Sequence, residues 1–174
     1  MNLIKKYVSR FLIVFIAIIF LVGCDQTTKQ AANIHLKDKA HQNIAGIINL
    51  QYIENDGGML SLGNQLPESV KFIIFILVVI VFLLILFFYI IKNQQDLFIK
   101  QIALILIFSG GVGNLIDRVF NNGNVIDFIR IKLPLIENGI FNIADFYVTM
   151  GFIFLLLTLL VKQKVLSQEN DISL

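Results

Sequence analysis

Four long apolar runs leave this chain little choice of fold. Phe72 to Ile91 is an uncharged stretch rich in Phe, Ile, Leu and Val, and Ala144 to Val161 is a second, closed by Lys162 and Lys164. Ile102 to Ile116 is shorter, but extended back to Leu97 it reaches crossing length with Lys100 snorkelling at its start. Val8 to Cys24 is the fourth, with Lys5, Lys6 and Arg10 ahead of its apolar core. A bilayer core takes about 20 apolar residues per helix, with about 17–25 tolerated. The expected fold is mainly α and integral to a membrane, with spans at about 8–24, 70–91, 97–116 and 144–161 and outer segments at 25–69 and 117–143. The 57% hydrophobic and 15% charged composition and the mean hydropathy of +0.81 agree with lipid as the solvent. Residues 1–174 read as one membrane-embedded domain.

Several function classes drop out. A net charge of +2, with basic residues spread over chain ends and short loops, does not fit nucleic acid. Cys24 is the sole cysteine and His35 and His41 the only histidines, so neither an intrachain disulfide nor a metal site is expected, and no cofactor is called for. A transporter is disfavoured because no charged residue falls within Phe72 to Ile91 or Phe146 to Val161. If the helices alternate, Lys5, Lys6, Arg10, Lys92, Lys100, Lys162 and Lys164 share one side, which the positive-inside rule makes cytoplasmic, along with both termini. Whatever chemistry the chain performs then belongs to the opposite face, in a bacterial cell the outer face of the cytoplasmic membrane.

That face has internal structure. Ile47 to Ile53 alternates like a strand and leads into the turn signal Asn55-Asp56-Gly57-Gly58, so a small sheet resting on the membrane surface is expected. Pro67 marks a helix entry, with Glu68 in the first turn. The second outer segment has a turn at Asn121-Asn122-Gly123, an extended stretch from Asn124 to Ile131, and Pro134. The tail from Gln163 to Leu174 reads as polar and loose.

Polar groups near a bilayer are costly and therefore functional suspects. Asp25 and Lys29, four apart at the outer end of the first span, can form an ordinary helix-surface pair or part of a site. On a third helix Gly110, Asn114, Asp117 and Arg118 share one side; the glycines can be close helix contacts and the charges interface anchors, yet Asn114 inside the helix needs a partner. Asp127 is framed by Ile126 and Phe128 on an extended stretch, where a carboxylate has little structural purpose. Asp145 follows Asn142 by three residues, which is also ordinary helix-start chemistry. Two carboxylates brought together can share a proton, one acting as base on water and the other as acid on a scissile carbonyl. Spacing alone does not establish that these two meet.

Taken in order, the motifs resemble those of lipoprotein signal peptidase, or signal peptidase II, a bacterial family of membrane aspartic peptidases. The resemblance covers nearly the whole chain and rests on Asp25-x-x-Thr28-Lys29, Asn55-x-Gly57, Gly110-x-x-Gly113-Asn114-x-x-Asp117-Arg118, Val125-x-Asp127-Phe128 and Phe141-Asn142-x-Ala144-Asp145. It implies a catalytic pair at Asp127 and Asp145. It implies support from Asp25, Lys29, Asn55, Gly57, Gly110, Asn114, Asp117, Arg118, Asn142 and Ala144, and an extracytoplasmic sheet that cradles the substrate with a short loop or helix beside it. The implied substrate is a diacylglyceryl-modified prolipoprotein, cut just before its lipidated cysteine by a monomer in contact with membrane lipid, without metal and sensitive to the cyclic peptide globomycin.

Departures occur at Gly58, Met59 and Leu60, where the family has two small residues and an aromatic, and at Phe146, where it has a small polar residue. Leu21-Val22-Gly23-Cys24 also has the form of a lipoprotein cleavage signal. A chain cut there would be a lipid-anchored scaffold with three spans, and Asp127, Asp145, Asn114 and Arg118 would have no role.

Overall fold

The computed structural model describes residues 3–44, 47–58, 62–93, 97–133, 136–137 and 139–172. In chain order it has α1 (Leu3–Leu36), β1 (Gln42–Ile44), β2 (Ile48–Asn55), α2 (Glu68–Lys92, π-helical over Ile73–Val78), α3 (Phe98–Phe120), β3 (Val125–Leu133), β4 (Ile136–Glu137) and α4 (Ile143–Ile172). Four helical stretches, Val8–Leu36, Glu68–Lys92, Phe98–Phe120 and Ile143–Leu160, are long and apolar enough to cross a membrane. Their outward faces carry exposed large side chains such as Ile16, Phe20, Ile85, Phe88, Leu156 and Leu160. A belt of that kind is stable against lipid, so this is a multi-pass membrane protein.

Two helices outrun the limits drawn from hydropathy. α1 ends at Leu36 rather than near Cys24. Asp25, Lys29, Ala32 and Leu36 recur at helical spacing, and all four are buried. The helix therefore continues as a polar stripe that packs inward before Ala32 and Leu36 reach the sheet at Phe128. α4 runs to Ile172, so the tail expected to be loose is helical across most of its length. Residues 161–172 contain no Gly or Pro, and nothing in them stops a helix already started. Pro67 precedes α2 in an extended conformation, and Glu68 occupies the first turn as expected.

α3 is the hub. A Cβ on Gly111 would lie 2.8 Å from Leu83 of α2, one on Gly113 would lie 2.5 Å from the Asp25 carboxylate of α1, and one on Gly110 would strike Ala144 and Val148 of α4. Absent side chains let three neighbours approach one helix. Farther along the α3–α4 seam, a Cβ on Gly151 would sit 2.6 Å from Ile107 Cγ1 and 2.7 Å from the Ala103 carbonyl. Gly151→Ala is thus expected to cost about 1–3 kcal/mol through overpacking. A thermal melt in detergent that matches wild type would contradict it.

The outer segments meet in an antiparallel sheet of order β1-β2-β3-β4. β2 and β3 pair Ile53 with Asp127 and Asn55 with Val125, with an irregularity between Leu50 and Ile53. The turn ahead of β3 uses positive φ at Asn122 and Gly123. Pro134, Met59 and Leu60 lie outside the described residues. At the far end of the bundle Arg10 donates to the Ile90 carbonyl 3.1 Å away and to that of Asn93, capping the end of α2.

Candidate active site

Asp127 is delivered by β3 and is 2% exposed. Each of its oxygens accepts from one carboxamide: Oδ1 from Asn142 Nδ2 at 2.6 Å and Oδ2 from Asn55 Nδ2 at 2.9 Å. Asn55 ends β2 and is oriented by its own turn, since its Oδ1 accepts from the Gly57 amide at 2.9 Å and its Nδ2 also donates to the Gly58 carbonyl at 3.1 Å. Burial pushes the Asp127 carboxyl up to about 6, and the charge of Asp145 adds to the rise. The amides of Asn55 and Asn142 and the ammonium of Lys29 pull in the other direction without cancelling it.

Asp145 sits in the first turn of α4. The Asp145 amide donates to Asn142 Oδ1 at 2.9 Å, and the Asn142 amide donates back to Asp145 Oδ2 at 3.3 Å, a capping box. The ordinary helix-start role is real, and it leaves Oδ1 free to accept from Asn114 Nδ2 at 2.9 Å. Asn142 has no solvent exposure and bridges the two aspartates, its carboxamide bonded to Asp127 and its backbone to Asp145. Asn114 Oδ1 accepts from Lys29 Nζ at 2.9 Å and from Asn142 Nδ2 at 3.2 Å, which turns its own NH2 toward Asp145.

Beneath lies a buried charge cluster. Lys29, 1% exposed, contacts Asp25 and Asp117 at 2.9 Å each. With Asn114 these use its three N–H groups. The pair at positions 25 and 29 is therefore not a surface pair. Asp25 Oδ1 accepts from the Ala144 amide at 2.9 Å, and Asp117 Oδ2 accepts from the Ile126 amide at 3.0 Å. The two carboxylates hold the backbone one residue ahead of Asp145 and of Asp127. Ala144 is fully buried, and Gly110 and Gly113 make room for it and for Asp25.

Arg118 diverges from its helix neighbours. Its guanidinium donates to the Gly57 carbonyl at 2.8 Å and lies 5.2 Å from the centre of the Phe75 ring. It lines a cavity of about 820 Å³ between the outer ends of α2 and α3, along with Asp56, Lys71, Phe72 and Phe75, and it is within electrostatic reach of Asp127 and Asp145. The ring at Phe75 also fixes Gly58, because a Cβ there would come within 3.2 Å of it. Phe146 points outward at 51% exposure and takes no part.

All twelve residues singled out from the sequence thus fall in one connected region. Gly113 of the third motif joins them as a close contact for Asp25, and two further residues, Gln26 and Phe75, complete the region. Gln26 stands in the polar run from Asp25 to Lys29 at the outer end of the first span, and its partners come into view only once α1 is drawn past Cys24. Phe75 is one of many phenylalanines in an apolar run, and no pattern sets it apart.

The chain has clear relatives. A family model described as Signal peptidase (SPase) II matches residues 16–161. A lipoprotein signal peptidase of Streptococcus thermophilus is 40% identical over 147 residues, covering 83% of this chain and 90% of its own. One from Staphylococcus epidermidis is 35% identical over 168 residues, covering 95% and 98%. Among solved structures, a bacterial membrane enzyme determined by the in meso method at 2.3 Å resolution is 31% identical, with a TM-score of 0.74 over 86% of this chain and 88% of that one. With its four membrane-spanning helices and buried carboxylates, the chain belongs to the signal peptidase II family, the aspartic peptidases that act as lipoprotein signal peptidases.

Proposed function

We propose that Asp127 and Asp145 are the catalytic pair of an endopeptidase that removes the signal peptide from diacylglyceryl-modified prolipoproteins, cutting just before the lipidated cysteine. The observation that carries this reading is the Asn142 bridge between two buried carboxylates. One carboxylate takes a proton from water as its oxygen attacks the scissile carbonyl carbon. The other gives its proton to the carbonyl oxygen, forming a gem-diol; on collapse the first carboxyl passes the proton it took from water to the amine nitrogen as the C–N bond breaks, and the second takes back one hydroxyl proton as the carbonyl of the new acid re-forms. Amide donors from Asn55, Asn114 and Asn142 hold the carboxylates in place for both steps. Arg118, which lines the cavity at the outer ends of α2 and α3 within electrostatic reach of the pair, supplies donors suited to a peptide backbone. Lys5, Arg10 and Lys92 flank the end of the bundle opposite the site, which supports cytoplasmic termini and a site at the outer face. The likeness to the family extends the proposal to a monomer among membrane lipids, one domain over residues 1–174 and inhibition by globomycin.

The reading is tested with purified enzyme and two forms of one prolipoprotein, with and without the diacylglyceryl group. Cleavage of the lipidated form only, with a released peptide whose mass ends one residue before the cysteine, is expected. Equal cleavage of both forms, or a cut elsewhere, would remove the assignment of substrate.

The elevated Asp127 carboxyl gives a pH dependence. The pair titrates as a unit, so its acid limb belongs to both groups, and its scale is set by the value of about 6 at Asp127. Activity is expected to fall as pH drops through about 6. Stability moves the other way: because folding raises this carboxyl above its unfolded value, its contribution is full at low pH and is lost as pH climbs through about 6. The stability gap between wild type and Asp127→Asn should shift accordingly across pH 4 to 7, and a flat gap would contradict burial as the cause.

A further inference from the structure

The charges beneath the dyad do not balance on Lys29 alone. One ammonium serves two buried carboxylates, so the cluster of Asp25, Lys29 and Asp117 keeps an excess negative charge. Backbone amides cover Asp25 Oδ1 and Asp117 Oδ2. The other side of each carboxylate is met by a residue with no assigned role: Gln26 Nε2 lies 2.9 Å from Asp117 Oδ1, 3.2 Å from Asp25 Oδ2 and 3.1 Å from the Gly113 carbonyl. One neutral amide reaches both anions and the backbone of α3. A second cation would cancel the cluster's charge, whereas an amide satisfies its lone pairs and leaves that charge acting on the groups above.

We propose that Gln26 is a positioning residue for the peptidase reaction, holding Asp25 and Asp117, and through them the backbone ahead of Asp145 and Asp127, at the separation the catalytic pair requires. This rests on the dyad assigned above. The charged and titratable groups facing the cluster are Lys29 and Cys24 on α1, Arg118 on α3, Asp127 on β3, and Asp145 and Tyr147 on α4.

Gln26→Met keeps length and volume and removes the donors. Without them the two carboxylates repel across a single ammonium, and small displacements reach both aspartates. A fall in kcat of about tenfold to hundredfold is expected, with KM little changed. The acid limb of the rate profile should move to higher pH, since less shielded anions beneath the pair favour its protonated form. Gln26→Glu should lose more. Adding Asp117→Asn to it should recover part of that loss, because the new carboxamide at 117 can keep its oxygen on Lys29 and the Ile126 amide while its NH2 faces the carboxylate at 26.

Rates are taken per mole of monodisperse enzyme in detergent, with Asp127→Asn alongside. An unmoved kcat and acid limb in Gln26→Met, or a loss confined to the yield of folded protein, overturns the assignment. So does a double variant no better than Gln26→Glu. Should Gln26→Met not fold, Gln26→Asn, which keeps the amide and shortens its reach, is expected to move the acid limb less far in the same direction, and no movement overturns the proposal. Cleavage by Asp127→Asn would sink the dyad itself, whereas an inactive Asp127→Asn beside an undisturbed Gln26→Met sinks only the role of Gln26.

Discussion

Asp127→Asn is expected to yield a folded, inserted protein that does not turn over. The two opposing terms at this position explain both halves of that result. Replacing the carboxylate with an amide puts an NH2 against either Asn55 or Asn142, each of which already donates to this residue. One mismatched buried donor costs about 1–3 kcal/mol. The same change removes a carboxyl whose charged form is penalised by burial, as its rise to about 6 records. The terms offset, so the fold survives. Chemistry does not, because an amide neither takes a proton from water nor delivers one, and loss of an acid–base group alone costs about 10²–10⁴ in rate. Asp145→Asn should behave the same way, with a larger structural penalty because its carboxylate also closes the capping box at Asn142. Melts of the two variants should therefore be ordered, Asp145→Asn below Asp127→Asn, while both are inactive.

Lys29→Met is expected to have the largest effect on stability. Asp25 and Asp117 are buried at 0% and 2% exposure and share this one ammonium. Removing one partner from a buried ion pair typically costs about 3–5 kcal/mol, since an uncompensated charge stays behind. The melting temperature in detergent should fall by roughly 10 °C, on the scale of a few degrees per kcal/mol for a chain of this size. Asp25→Asn added to Lys29→Met should restore part of the loss, because the excess charge falls from two carboxylates to one. If the double variant is as unstable as the sum of the two single changes, the penalty arises from packing rather than charge.

Hydropathy made the four crossings legible, because burying backbone in lipid demands long apolar helices. It failed at the outer end of the first helix for one reason. At Asp25 the sequence turns polar while the helix continues, with its polar side chains facing protein rather than water. That misplacement made Asp25 and Lys29 resemble a surface pair and left Gln26 between them without a visible partner. Asp145 was legible as a helix-start residue, and the capping box bears that out. Its place in the proposed pair depends on Asn114, thirty-one positions away, which no local pattern reveals. The same holds for Asp127, which reaches the site only because β2 and β3 pair in the register that sets Asn55 beside it. The order of the motifs, and their likeness to a known family, supplied what local physics could not. The scaffold alternative requires loss of residues 1–23, which would strip Val14 and Ile18 from the core they form with Leu86, Ile90, Leu104 and Ile107.

The measurement that tests the account most directly is a gel-shift assay of signal-peptide release from a diacylglyceryl-modified prolipoprotein, with wild type, Asp127→Asn and Asp145→Asn purified in the same detergent and each shown to be folded. Release by wild type alone is the predicted result. Release by either folded variant at a rate near that of wild type would contradict the catalytic pair.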